Sequence, residues 1–314
     1  MDPVKYSLVV PVYNNEDGLP ELLLALQEIA AALPDKMQVI LVVDGGDDQC
    51  HAWLERQLPA MPFESVLLLH SRNFGAFPAI RSGLMEAKGQ YISIMAADLQ
   101  EPPSLIINLF NALSVDDCDV VVACREQRGD PAISKVFSAF FWWLYRAFII
   151  PDIPVGGVGT IACTQAFKDE LLKLNEKGSS MVGLIYWLGF RRKEIAYVRQ
   201  HRRAGKSTWT FAKKVNYFFD SIFSFSDLPI KVLISIGLVG LLMSIVYGAG
   251  LLAGRLLGIA PDVPGYAATM MTILFFGAIN VIGIGIIGAY VWRAFSNTQN
   301  RPTSIIMKRR SFKK

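Results

Sequence analysis

Histidine and cysteine are scarce in this chain, at three and four of 314 residues. The cysteines (Cys50, Cys118, Cys124, Cys163) form no Cys-x-x-Cys pair, and the histidines show no ligand spacing. A zinc site is therefore not expected, and the thiols are expected to be reduced. Neither Gly-x-Gly-x-x-Gly nor Gly-x-x-x-x-Gly-Lys-Ser/Thr occurs, which removes the ordinary dinucleotide and P-loop readings. Charge is also thin, at 18% of residues with a net +4. The segment Arg293–Lys314 alone holds seven Lys and Arg and no acid, so the rest is mildly acidic and nucleic-acid binding has no support. Only Met1–Lys5 precedes the first strand-like run, and neither a signal peptide nor a transit sequence is expected.

Two long runs lack charge altogether: Val232–Gly254, 23 residues, and Gly265–Trp292, 28 residues. A helix needs roughly 20 apolar residues to cross a bilayer, so both are expected to span as a hairpin. Gly237, Gly240, Gly283, Gly285 and Gly288 weaken a soluble helix, but in a membrane they permit close helix contact and homo-oligomeric association. The loop between the runs has one Arg, Arg255, whereas Lys213, Lys214 and Lys231 precede the first run and the basic segment follows the second. The positive-inside rule then places both termini in the cytoplasm, against anionic lipid.

Residues 1–205 read as one α/β domain. Tyr6–Tyr13, Gln38–Val43, Ser65–His70, Tyr91–Met95 and Val120–Cys124 are continuous apolar runs, the pattern of strands buried on both faces of a mostly parallel sheet. Helix-like stretches alternate with them at Leu19–Leu33, Asp48–Leu58, Phe77–Lys88 and Pro102–Leu113, which argues for a doubly wound, Rossmann-like sheet. Val136–Ile150 is rich in Phe and Trp, and Thr208–Phe225 is amphipathic; both suit helices at the headgroup level. The expected division is 1–205 for the α/β domain, 206–229 for a juxtamembrane amphipathic segment, 230–292 for two spans and 293–314 for a basic cytoplasmic tail.

The chemistry concentrates at Met95–Pro103, Met-Ala-Ala-Asp-Leu-Gln-Glu-Pro-Pro, just past the fourth apolar run. Ligands of open α/β sheets bind at that carboxyl edge. Asp98 and Gln100, two apart in an extended turn, present hard oxygens suited to Mg²⁺ or Mn²⁺ on a diphosphate.

With these motifs in order, the chain resembles family 2 glycosyltransferases of the polyprenyl-phosphate group, which includes dolichol-phosphate mannose synthases and bactoprenol glucosyl transferases. The likeness covers nearly the whole chain. It is carried by Pro11-Val12-Tyr13-Asn14 beside the nucleobase, Asp44-Gly45, Arg72-Asn73-Phe74-Gly75, Asp98-Leu99-Gln100-Glu101-Pro102-Pro103, Arg125, and Arg202-Arg203-Ala204-Gly205-Lys206-Ser207. Phe225-Ser226-Asp227-Leu228-Pro229 then leads into a two-span tail. The resemblance implies a GT-A fold and inverting transfer of a sugar from a nucleotide-sugar donor to a polyprenyl phosphate at the bilayer. On this basis Asp98, Arg125 and Arg202 are the expected catalytic residues. Pro11, Tyr13, Asn14, Asp44, Arg72, Asn73 and Gly75 are expected to bind the donor, and Arg202, Lys206 and Ser207 the lipid phosphate. Asp98 and Gln100 are the expected metal ligands.

The departures fall in the same cleft. Asn15, Val43, Ala96 and Gly159 stand where the family usually has an acid, and Thr208 where a Lys follows the Ser. Two readings therefore stay open, a glycosyltransferase and a non-catalytic relative that kept the fold as a membrane scaffold. A processive polysaccharide synthase needs a Gln/Arg-x-x-Arg-Trp motif, which does not occur.

Overall fold

The structure is a computed structural model of the protein. It describes residues 4–46, 49–115, 117–125, 143, 146–147, 150–154, 157–176, 179–200, 220–258 and 265–313. Strands β1 (Tyr6–Val12), β2 (Met37–Val43), β3 (Glu64–His70), β4 (Tyr91–Ile94) and β5 (Val120–Arg125) coincide with the five apolar runs. Helices α1 (Leu19–Ala32), α2 (Cys50–Gln57), α3 (Ala76–Glu86) and α4 (Pro103–Val115) alternate with them. Four further elements follow among the described residues: β6 (Val158–Thr164), then α5 (Gln165–Lys173) and α6 (Met181–Trp187), then β7 (Arg192–Tyr197).

The sheet has eight strands in the order β7-β5-β6-β4-β1-β2-β3-β8, with β8 formed by Ile306–Phe312. Pairs β1–β2, β1–β4, β2–β3 and β5–β7 are parallel; β4–β6, β5–β6 and β3–β8 are antiparallel. All seven residues of β2 are buried, as expected for a central strand covered by helices on both faces. Helix α1 buries Leu19, Leu22, Leu23, Leu26 and Ile29, a stripe at helical spacing. Helix α3 lies so close to β1 that a Cβ at Gly83 would overlap the Val9 side chain.

The chain divides into two compact units, Met1–Lys214 with Arg301–Lys314, and Val215–Asn300. The segment 293–314, expected as a separate basic tail, is therefore divided differently. Its first residues continue the last helix to Thr298, and Ile306–Phe312 forms the edge strand β8 on β3. Basic residues at this edge find acids: Arg309 makes a two-bond ion pair with Glu86 at 2.8 and 2.9 Å, and Arg310 lies 3.0 Å from Glu55.

The Arg309 hydrogen bonds hold the Glu86 carboxyl below its ordinary value of 4.5. A depressed carboxyl stabilises the fold above its unfolded value and loses that contribution as pH falls through the folded one. Arg309→Ala should therefore lower stability by at most about 1 kcal/mol near neutrality, since the Arg309 side chain is half exposed. The difference from the natural chain should shrink below about pH 4.5, read as thermal midpoints across a pH series. A difference that persists unchanged at pH 3 would contradict the ion-pair origin.

The second unit holds α7 (Leu228–Leu256) and α8 (Tyr266–Thr298), both long and apolar enough to cross a membrane. Gly240 and Gly283 mark close approach, with Phe276 Cε1 2.9 Å and Leu233 Cδ2 3.4 Å from a Cβ placed there; Gly237, Gly285 and Gly288 meet nothing within 4 Å. Tyr290 Oη donates to Ser226 O at 3.0 Å, and Arg293 pairs with Asp220 and donates to Ser224 Oγ at 2.9 Å. Of the two aromatic stretches, Val136–Ile150 lies almost wholly outside the described residues, and so does Thr208–Phe225 up to residue 219.

Candidate active site

The loops that leave β1, β2, β3 and β4 at their carboxyl ends meet at one edge of the sheet. Pro11 is the second-to-last residue of β1; after the strand come Tyr13, which is exposed, and Asn14, whose φ of 43° is left-handed. Asn15 Nδ2 donates to Ala97 O at 3.0 Å, so an amide ties this turn to the Met95–Pro103 loop.

Asp44 follows β2 and is almost fully buried. Its carboxylate accepts from Phe74 N at 3.0 Å and Gly75 N at 2.7 Å, and His70 Nδ1 lies 2.7 Å from the same group. Next to it, Gly45 has φ +64°, and a Cβ there would stand 2.6 Å from Asn73 N. Only glycine fits this position, on both backbone conformation and space. The Asp44-Gly45 pair thus shapes the Arg72–Gly75 loop, with the carboxylate spent inward. Arg72 and Asn73 are exposed, and the Arg72 guanidinium stacks 4.1 Å over the Phe74 ring, which meets His70 edge-on. This leaves two polar side chains at the cleft on a backbone fixed from beneath.

Asp98 is half-buried past β4. Gln100 N donates to its Oδ1 at 3.3 Å, and Leu99 between them has φ 53°, a conformation costing about 1–2 kcal/mol outside glycine. Glu101 closes the turn from behind, accepting from Ala96 N at 2.9 Å. Burial pushes its carboxyl pKa up, and the Asp98 charge adds to that.

Arg125, at the end of β5, donates from Nε to Tyr197 Oη at 3.4 Å. Arg199, just beyond β7, donates from Nη2 to Gln100 Oε1, and Gln200 N donates to Gln100 O at 3.0 Å. Burial first, and then the neighbouring Arg125 charge, lowers the Arg199 pKa. Two guanidiniums held together and partly desolvated favour an anion between them.

The expected metal pair divides. Asp98 presents a carboxylate, but the Gln100 amide oxygen is engaged by Arg199 rather than offered to a cation. Among the described residues no group of three His, Cys, Asp or Glu could hold a metal ion. The donor set fits at most a cation that takes one protein carboxylate and finds its other ligands on substrate and water, as Mg²⁺ accepts.

The place of the missing acid at Gly159 is also filled. A Cβ on Gly159 would collide with Tyr197 Oη, so the phenol stands where a side chain at 159 would point. Burial raises the Tyr197 pKa, and the hydroxyl stays a neutral hydrogen-bonding group.

The structure places Pro11 near the end of β1, Tyr13, Asn14, Asp44, Arg72, Asn73 and Gly75 on the loops after β1, β2 and β3, Asp98 and Gln100 on the loop after β4, and Arg125 at the end of β5. Arg202, Lys206 and Ser207 lie outside the described residues. Sequence reasoning missed Tyr197 and Arg199. The available signal was the alternation of these two at the end of β7, three residues before Arg202.

Glycosyl transferase family 2 matches the chain over residues 7–172. The chain is 31% identical over 306 residues to the SfII prophage-derived bactoprenol glucosyl transferase of Shigella flexneri, covering 97% of this chain and 98% of that protein. It is 32% identical over 304 residues to the uncharacterized glycosyltransferase sll0501 of Synechocystis, covering 96% and 95%. In fold alone it is similar to glucosyl-3-phosphoglycerate synthase from Mycobacterium tuberculosis, with TM-score 0.48 and 16% identity over 70% of this chain and 76% of that one. The family match and the near full-length identity together show that the chain belongs to glycosyl transferase family 2 and that its activity is that of a glycosyltransferase.

Proposed function

We propose that the protein transfers a sugar, with inversion, from a nucleotide-sugar donor to a polyprenyl phosphate at the cytoplasmic face of a membrane. The observation that carries this reading is the convergence of Asp98, Arg125 and Arg199 at the carboxyl edge of the sheet. Relatives aligned over nearly their whole length bear the name bactoprenol glucosyl transferase, which supports a polyprenyl phosphate as acceptor.

A phosphate monoester has its second pKa near about 6, so the acceptor is largely a dianion at neutral pH. One of its oxygens forms a bond to the anomeric carbon as the bond from that carbon to the donor phosphate breaks. The electron pair leaves with the nucleoside diphosphate. No proton has to be removed, so the step does not need the acid absent at Gly159. Arg125 and Arg199 take the charge that develops on the leaving diphosphate. Asp98 would hold a divalent cation, Mg²⁺ or Mn²⁺, which supplies further charge neutralisation when bound. Arg202, Lys206 and Ser207 are assigned to the lipid phosphate, because their segment precedes the amphipathic stretch at Thr208.

Chain connectivity supports the topology. The chain enters α7 from the sheet domain and rejoins the same sheet at β8, so a hairpin of two crossings has both ends on one side. The basic residues flanking the hairpin favour the cytoplasm for that side. The rival reading, a scaffold that has lost catalysis, draws on the replaced acids at Asn15, Val43, Ala96 and Gly159. A screen of radiolabelled nucleotide sugars with membranes containing the protein separates the two. The expected outcome is label from one donor passing into the organic phase, dependent on added polyprenyl phosphate. Retention of all label in the aqueous phase with every donor would favour the scaffold.

A further inference from the structure

Ser304 and Ile305 lie between α8 and β8, more than two hundred residues from the loops of the cleft, yet both are bonded into the frame of the Arg72–Gly75 loop. Ser71 N donates to Ile305 O at 3.0 Å, one residue before Arg72. Ser304 Oγ lies 2.8 Å from Ser82 Oγ, and Ser82 Oγ lies 2.9 Å from His70 Nε2. The other ring nitrogen of His70 lies 2.7 Å from Asp44 Oδ1, and Asp44 receives the amides of Phe74 and Gly75. His70, Ser82 and Asp44 are 1%, 2% and 3% exposed, so water cannot substitute for any of these three, while Ser304 at the outer end is half-buried. A continuous polar chain therefore runs from the segment after the last apolar helix to the backbone of the cleft.

Sheet pairing alone does not call for this chain. The β3–β8 ladder already joins Ser65–His70 to Ile306–Phe312, and its ion pairs fix the strand from the outside. The hydroxyl of Ser304 instead reaches past the ladder to a serine on α3, and through it to the one carboxylate that holds the loop. Polar groups in such buried networks act as a unit.

We propose that Ser304, Ser82 and His70 are positioning residues for the donor loop, so that docking of the C-terminal segment completes the binding site for a nucleoside diphosphate. The inference rests on the assignment of Asp44 and Arg72–Gly75 to donor binding. Nucleotide affinity is then coupled to the seating of Ser304, and a chain whose C-terminal strand has left β3 holds its donor weakly.

The test is calorimetric titration of the full-length protein in detergent with UDP and with GDP, each with Mn²⁺. With the nucleotide that the natural chain prefers, Ser304→Ala is expected to weaken binding about fivefold, the effect of one lost hydrogen bond. Ser304→Thr, which keeps the oxygen, should stay within about twofold of the natural chain. Ser82→Ala should match Ser304→Ala, and the double substitution should add little to either, as members of one network do. A merely structural role would lower the thermal midpoint without this pattern in affinity. Unchanged affinity in both single variants, with binding lost in Arg72→Ala, would overturn the coupling and leave the donor assignment standing. Failure of the natural chain to bind either nucleotide at millimolar concentration would overturn the donor assignment and the coupling with it.

Discussion

Asp98→Ala should lower sugar transfer by about two orders of magnitude or more, the usual consequence of losing a charge-stabilising group in the transition state. Asp98 is the half-buried acid of the Met95–Pro103 loop, whereas the Glu101 carboxylate is buried and bonded to Ala96 N. With Gln100 turned to Arg199, no second side chain of the loop can take over its role toward a cation. Deleting a half-buried carboxylate should change the fold little, so the thermal midpoint should stay within about 2 °C. Initial rates at saturating donor, with Mn²⁺ and with EDTA, measure the effect. A variant within threefold of the natural rate would instead make Arg125 and Arg199 the principal diphosphate clamp.

Asp44→Ala should be the most damaging substitution for stability. It strips two backbone amides and the His70 ring of their shared acceptor at a site 3% exposed. Removing one side of a buried charged network costs about 3–5 kcal/mol. For a domain of this size that is a fall of about 10 °C or more in thermal midpoint. Nucleotide affinity should fall with it, since the Arg72–Gly75 backbone loses its anchor. A shift under 2 °C would mean that the loop finds another way to satisfy its amides.

These two acids also show how far the sequence could be read. The five apolar strands were legible because continuous Val, Leu and Ile runs have few other uses in a soluble domain. Strands β6, β7 and β8 were not. Gly159 and Thr160 break the apolar signal at the start of β6, and β7 alternates charges such as Arg192 and Glu194. Ile306–Phe312, with three consecutive basic residues, reads as a membrane-surface tail until its partners Glu86 and Glu55 are seen.

The motifs marked the correct loops, but long-range contacts decided the roles. Asp44 was legible as a site residue, yet it directs its oxygens inward and shapes the loop that faces the cleft. Gln100 suits a metal by spacing, but a guanidinium 99 positions away takes its oxygen. Nothing local in the sequence announces that Tyr197 fills the space over Gly159.

The most direct measurement is turnover by the purified protein in liposomes containing polyprenyl phosphate, with the lipid product read by mass spectrometry. The expected result is a polyprenyl phosphate heavier by one sugar, formed with a single nucleotide sugar and absent with Asp98→Ala. Nucleotide binding without any glycosylated lipid, across all donors and with either Mg²⁺ or Mn²⁺, would contradict the assignment of catalysis to this cleft.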